Sequence, residues 1–348
     1  MTAHKTIYLL QLGVGNVGGA LRRQIIEQRS TLIGNSGINL AYAGLFTSEG
    51  GVFDPAGLTD AAVLDFDAGT NIPAEQCIEL MPTPFVVIDT TSSNATIPLI
   101  KQALSRGGYV VTANKKPLTG SQSDFDDLLT VGKDTLYFET TVGAGLPVIR
   151  TLQSLLATGD EIESIQGCFS GTLGFIFSQL QTGKSFSEVV TEAKSRGFTE
   201  PDPRDDLSGM DVARKVVILA RLMGMKLEPR DVHVESLYPS ELATVSIDEF
   251  MQKLPSLDAA IANQTEVAQK SGKVLRYVAT ITPKSCSVSL SAVDTNSDIG
   301  NLSGPDNIVV IRTERYHDNP LVIKGPGAGP EVTAAGVFGD ILRSTGIV

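Results

Sequence analysis

The sequence holds only three cysteines, Cys77, Cys168 and Cys286, far apart and odd in number. That scarcity excludes a disulfide framework, and the spacing matches no structural metal site, so a reducing, cytoplasmic compartment is expected. Clusters of cationic residues are missing as well. Lys+Arg number 28 against 39 Asp+Glu, for a formal net charge of -11, which makes nucleic acid and anionic membrane surfaces poor partners. No apolar run approaches the ~20 residues of a spanning helix. The stretch Ile7 to Leu12 is too short for a secretory signal, lacks a small-residue cleavage site and runs straight into glycines. Repeats and low-complexity tracts are also absent. What remains is a chain of 348 residues, 42% hydrophobic and 19% charged, a globular composition long enough for two domains.

KTIYLLQL (5–12) has the pattern of a buried strand, followed by GVGNVG (13–18) and a helix through GALRRQIIEQRS. INLAYAGL (38–45) continues as a strand. FVVID (85–89), a TTSSN turn, a helix over 95–105 and YVVTA (109–113) form a further strand–helix–strand unit, and LYFETTV (136–142) follows. Strands alternating with helices imply a doubly wound parallel α/β sheet of the Rossmann type. Its expected range is 1–147, completed by a helix over 331–348. Beyond GAGLPVI (143–149) the character changes to EIESIQGCF (161–169), RYVATITP (276–283) and CSVSLSAV (286–293), with helical stretches around 173–182, 209–223 and 257–270. This predicts a second, α+β domain over 148–330.

The glycine motif follows a strand and opens an amphipathic helix, the context that turns a common spacing into a dinucleotide fingerprint. Gly13 permits the turn, Gly15 admits a pyrophosphate, and Gly18 lets helix and strand pack closely. The phosphates would sit at the helix N-terminus. After the second strand, GLFTSEGG offers no acidic residue at the strand end except nearby Glu49, and no lysine or arginine lies between Arg29 and Lys101. Lack of a cation for a 2′-phosphate leans toward NAD over NADP. Thr91 and Ser92, after FVVID, and Asn114, Lys115 and Lys116, after YVVTA, occupy strand ends where ligands bind in such sheets.

FTEPDPRDDLSGMDVARKVVILA (198–220) crowds charges ahead of an apolar run. On a helix, Asp211 and Lys215 share a stripe with Ile218, Leu219 and Leu222, while Arg214 and Arg221 form a separate, wet stripe. The pattern predicts that the aspartate and the lysine are sheltered together, a placement usually justified by function. Glu200 and the Pro201-Asp202-Pro203 turn add carboxylates, so the natural guest is a cationic or amino-bearing small molecule. Ser170, Gly171 and Thr172 open a further helix, whose N-terminus suits an anionic group.

AKSRGFTEPDPRDDLSGMDVARK (193–215) closely resembles the signature of the homoserine dehydrogenase family. GVGNVG, DTTSSN, TANKK, ETTVGAGLP, FSGTLGFIF and the GAGP and VTAAGVFGD segments near the end match further family blocks. The resemblance implies reversible reduction of L-aspartate 4-semialdehyde to L-homoserine with NADH or NADPH. It implies Lys215 as proton donor, Glu200 and Asp211 as substrate ligands, and Lys115 positioning substrate beside the nicotinamide. Val14, Asn16 and Val17 in the glycine loop, with Thr91, Ser92, Gly197 and Gly329, would contact the cofactor. Glu139 and the carbonyls of Val142, Ala144 and Leu146 resemble the family's site for a monovalent cation, Na+ or K+. A homodimer through the second domain is also implied. Many bacterial members carry a regulatory ACT domain. This sequence stops at Val348, so threonine feedback through such a module is not expected. Two rival readings remain: a catalytically silent NAD(P) sensor, which should have lost Lys115, Asp211 or Lys215, and another amino-acid semialdehyde oxidoreductase using a cysteine nucleophile at the cofactor face.

Overall fold

The alternation of apolar strands and helices resolves into two sheets of six strands, one in each of two compact units. The computed structural model describes residues 4–67, 69 and 72–347. Residues 1–3, 68, 70, 71 and 348, which the expected domain ranges include, lie outside the described residues. One unit comprises Met1–Gly145 with Gly329–Val348, and the other Leu146–Ala328.

In the first unit, β1 (Lys5–Leu12), β2 (Ile38–Phe46), β3 (Gly51–Phe53), β4 (Phe85–Asp89), β5 (Tyr109–Thr112) and β6 (Leu136–Tyr137) lie in the order β3-β2-β1-β4-β5-β6. All neighbours run parallel except β3, which returns antiparallel on β2. The chain steps outward from β1 to one side and then crosses to β4 on the other. The carboxyl ends of β1 and β4 therefore flank the switch point where open α/β sheets take ligands. Continuous apolar strands are what a parallel sheet covered by helices requires. Ile7, Leu9, Leu40 and Val86 share one cluster with Leu21 and Ile25 of the helix Asn16–Ser36 and with Val337 and Ile341 of the helix Pro330–Ser344. Each such buried side chain contributes about 1.5–3 kcal/mol, and that burial fixes the last helix to this sheet.

The strand expected over 136–142 ends at Tyr137. Glu139–Thr141 tighten into a 3-10 turn because the Glu139 N–H donates to Asp340 Oδ2 at 2.8 Å and the Thr141 N–H donates back to Phe138 O. Both groups are thereby withdrawn from any ladder.

The second unit's sheet has the order β12-β11-β7-β9-β10-β8. Its strands are β7 (Ile162–Cys168), β8 (His233–Val234), β9 (Lys273–Thr282), β10 (Ser285–Asp294), β11 (Asp306–Thr313) and β12 (Leu321–Pro326). Pairing is antiparallel except between β8 and β10. Three of these strands, β8, β11 and β12, fall outside the sequence expectation. β8 has two residues, and β12 runs into a glycine-rich stretch that reads as loop.

The helix Met210–Leu222, which carries the signature, packs on β9 and β10. Its start is fixed by Gly209, in the left-handed region at φ 72°, where a Cβ would lie 2.0 Å from the Tyr277 hydroxyl of β9. That hydroxyl donates to Glu235 O at 2.5 Å, so it has little room to move away. The glycine of the Gly-x-Asp signature is thus a packing requirement that aims the following aspartate. Gly209→Ala is expected to lower stability by about 2 kcal/mol or more, combining left-handed strain with overpacking. Chemical denaturation checks this, and a loss under about 0.5 kcal/mol would show that the turn tolerates a side chain.

Candidate active site

In the first unit the glycine loop is held from below. Gly13 adopts φ 89°, its N–H donates to Phe46 O at 2.8 Å, and its carbonyl accepts from Gln11 Nε2 (2.8 Å) and Thr90 Oγ1 (2.7 Å). Tyr42 Oη donates to Gln11 Oε1 at 3.0 Å and fixes the orientation of that amide. A Cβ on Gly18 would lie 2.4 Å from both Gln11 Nε2 and Gly13 O, which explains the third glycine as close packing. At Gly15 a Cβ would meet nothing within 4 Å, so the space beside the loop is open. Val14, Asn16 and Val17 lie at this partly exposed mouth. The helix Asn16–Ser36 has no acidic residue in its first turn. Its unpaired N–H groups and positive end therefore suit a phosphate. The loop after β2 supplies Thr47 and Glu49, and no cation.

Thr91 and Ser92 follow β4, with Thr91 half-buried and Ser92 exposed, and Lys115 follows β5, half-buried. Gly197 ends a turn after the helix Phe186–Ser195 at φ 69°, in the second unit, and Gly329 (φ 120°) caps the helix Pro330–Ser344 in the first.

The loop after β6 carries the residues expected to hold a cation. The Glu139 side chain is buried, with Arg343 Nη1 at 3.8 Å from its carboxylate and 3.2 Å from Asp340. Ala144 takes the left-handed conformation at φ 53°, between Gly143 and Gly145. Val142 and Ala144 lie in the same loop of the first unit, whereas Leu146 opens the second unit. Among the described residues no group of three or more His, Cys, Asp or Glu side chains could hold a metal ion. One carboxylate with backbone carbonyls is a donor set of hard oxygens with low charge.

In the second unit the signature's carboxylates separate into two sets. Asp202 is consumed by Arg204, whose Nε and Nη2 reach it at 3.0 and 2.6 Å while Nη1 donates to the carbonyls of Leu242, Ala243 and Val245. The Arg204 guanidinium holds the Asp202 carboxyl below the usual carboxylate range. The second set is Asp211, Asp206 and Glu200, of which Asp211 meets Lys215. Lys215 Nζ lies 2.9 Å from Asp211 Oδ2 and donates to Phe169 O. Its side chain is 10% exposed, and that of Asp211 is 44% exposed.

The expectation that both are sheltered thus holds for the lysine and fails for the aspartate. Asp211 sits in the first turn, at the open end of the helix, and Lys215 lies a turn deeper in the apolar stripe. Arg221 also departs from expectation. It is buried, donating from Nε and Nη2 to Leu227 O at 3.2 and 3.0 Å with Glu228 at 3.8 Å, because the chain turns back after Gly224 and covers it. Arg214 is exposed.

Sequence reading passed over Asp206. Its Oδ1 accepts from Thr172 Oγ1 and its Oδ2 from the Glu200 N–H, both at 2.9 Å. Burial holds its carboxyl above the usual range, with the Glu200 and Asp211 charges adding to the rise against those hydrogen bonds. Three carboxylates crowding one another in this way form a place for an ammonium group. The available signal was the Asp205-Asp206 pair within the motif, of which only the second turns inward. Ser170 caps the helix Gly171–Leu180 by accepting from Leu173 N. This leaves the Gly171 and Thr172 N–H groups, which no intrahelical bond uses, at its mouth.

All three cysteines are buried, with thiols pushed up by burial to about 11 at Cys77 and Cys286 and about 12 at Cys168. None is a thiolate nucleophile at neutral pH.

A family model described as Homoserine dehydrogenase matches residues 147–342, and one described as Homoserine dehydrogenase, NAD binding domain matches residues 13–135. A Schizosaccharomyces pombe homoserine dehydrogenase is 38% identical over 365 residues, covering 99% of this chain and 96% of that protein. A chloroplastic bifunctional aspartokinase/homoserine dehydrogenase 2 of Zea mays is 42% identical over 346 residues. The match takes 95% of this chain and 38% of the maize protein, so this chain spans about two fifths of that relative's length. A hyperthermophilic archaeal homoserine dehydrogenase, solved in complex with NADPH, superposes with a TM-score of 0.75 at 25% identity, covering 98% of each chain.

Asp206→Asn tests the acidic cluster. With its folded-state carboxyl raised, the folded protein binds more protons than the unfolded chain, so its contribution to stability is present at low pH and lost as pH rises through the folded value. The wild type should therefore gain stability relative to the variant as pH falls from neutrality toward the usual carboxylate range. Denaturation across that range would show it, and a pH-independent difference would contradict the burial.

Proposed function

Because the chain belongs to the homoserine dehydrogenase family, we propose that it catalyses the reversible reduction of L-aspartate 4-semialdehyde to L-homoserine with a nicotinamide cofactor. The observation that carries this reading is the buried Lys215, held by Asp211 and Phe169 O, with Asp206 near enough to Asp211 and Glu200 for their charges to act on it. In this reading the first unit binds nucleotide, and the second binds substrate and forms a homodimer through its sheet. The protein works in the cytoplasm; no helix among the described residues is long and apolar enough to cross a membrane.

The loop Gly13 to Gly18, including Val14, Gly15, Asn16 and Val17, fits a dinucleotide. Its carbonyl is tied down, the space at Gly15 is open, and the helix behind it carries no acid in its first turn. Thr91, Ser92, Lys115, Gly197 and Gly329 complete the set of cofactor contacts. When bound, NAD or NADP supplies or accepts the hydride. The cation-free loop after β2 favours NAD, and the archaeal relative solved with NADPH favours NADP.

Substrate binding follows from charge. Glu200 and Asp206 receive the substrate ammonium, and the Gly171 and Thr172 N–H groups receive its carboxylate. Reduction leaves negative charge on the former aldehyde oxygen. Lys215 gives that oxygen a proton in reduction and takes it back in oxidation, while Asp211 orients the amine. Lys115 adds a second positive charge that stabilises the same oxygen. Glu139 and the carbonyls of Val142, Ala144 and Leu146 hold Na+ or K+.

A silent NAD(P) sensor would have no need of Lys115, Asp211 and Lys215 together. A cysteine-dependent semialdehyde oxidoreductase needs a thiolate, and burial denies one to Cys168.

Lys215→Met removes the proton donor without adding volume to the core. Cofactor binding should persist while turnover falls roughly 10²-fold or more. Nicotinamide absorbance with L-homoserine, each oxidised cofactor, and Na+ or K+ measures this, and near-normal turnover refutes the assignment.

A further inference from the structure

We infer that Asp89 and Asn114 form a positioning strut, which ties the loop after β4 to the loop that presents Lys115. The inference deepens the dehydrogenase reading and rests on it. Asp89 ends β4 beside Thr112, which ends β5 in the neighbouring strand. It is fully buried, a costly place for a carboxylate unless its acceptor sites are filled. Oδ1 accepts the Thr91 N–H (2.9 Å) and Thr91 Oγ1 (2.7 Å), and Oδ2 accepts Thr96 Oγ1 (2.7 Å) and Asn114 Nδ2 (3.0 Å).

Asn114 reaches in both directions. Its Nδ2 also donates to Ser93 O at 2.7 Å, within the β4 loop, and its Oδ1 accepts the Lys116 N–H at 3.1 Å. Lys115 O accepts from Leu118 N and Thr119 Oγ1, each at 3.0 Å. The backbone of Lys115 is thereby fixed on both sides, and one of those anchors leads through Asn114 to Asp89. Neither residue is needed to touch cofactor or substrate. A neutral amide at position 89 would put an NH2 donor either against Asn114 Nδ2 or, turned over, against the Thr91 N–H, so one arm of the strut is lost whichever way it faces. Buried networks of this kind hold geometry only when every member is satisfied.

The test compares Asp89→Asn, Asn114→Ala and the double variant in the full-length protein, with thermal melting as a control for folding. Each single variant should lower kcat for homoserine oxidation about tenfold or more, through displacement of Lys115, and leave KM for homoserine within about threefold. The double variant should be no worse than the poorer single one, since both break the same strut. Folded variants with kcat within about twofold of wild type, or losses that multiply, overturn the proposal. If Asp89→Asn does not fold, Asn114→Ala decides alone by the same split of kcat against KM. If wild type reduces neither NAD nor NADP with homoserine, the proposed function fails. The strut then stands on NADPH fluorescence titration, where Asp89→Asn should weaken binding about tenfold and unchanged affinity overturns it.

Discussion

An ammonium group withdrawn from water is the constraint around which the second unit is arranged. Lys215 reaches along a buried stripe to meet Phe169 O and Asp211. Loss of hydration is offset only while both partners stay in place. Phe169 follows β7, and Asp211 follows the Gly209 turn packed on Tyr277. The sheet and the helix start therefore serve one side chain, by presenting an acceptor from each direction. The charges of Asp211 and Glu200 act on Asp206, and in the proposed function Asp206 and Glu200 receive a second ammonium, that of the substrate.

Within the first unit the organising device is different. There the chain spends backbone conformation rather than charge, with Gly13 in a positive-φ turn and its carbonyl pinned by Gln11 and Thr90. Pinning that carbonyl leaves the first N–H groups of the following helix to an anion. The loops after β4 and β5 are then braced through Asp89, whose two oxygens each accept two hydrogen bonds, and Asn114, which reaches into both loops. A rigid crevice for a dinucleotide is the outcome one expects from such bracing.

Much of this was legible before any coordinates. Periodicity located β1, β2, β4, β5 and the long helices, because a buried parallel sheet leaves unbroken apolar runs that loops do not imitate. The resemblance of residues 193–215 to a family signature named the chemistry. Stripe reasoning failed where tertiary context decides. Arg221 is covered by a chain reversal after Gly224 that helical periodicity cannot see, and Asp211 lies at a helix end, where a stripe stops predicting burial. β6 was overestimated because Asp340, two hundred residues away, captures the Glu139 N–H. Asp206 and Asp89 were not singled out as site residues, because the donors that give a buried aspartate its role come from other parts of the chain and are known only once it is folded.

The most direct measurement is a crystal structure of the enzyme with oxidised cofactor and L-homoserine. The account predicts Lys215 Nζ within hydrogen-bonding distance of the substrate hydroxyl, with the substrate ammonium against Glu200 and Asp206. A hydroxyl met only by water, with Lys215 still turned to Phe169 O and the acidic cluster empty, would contradict it.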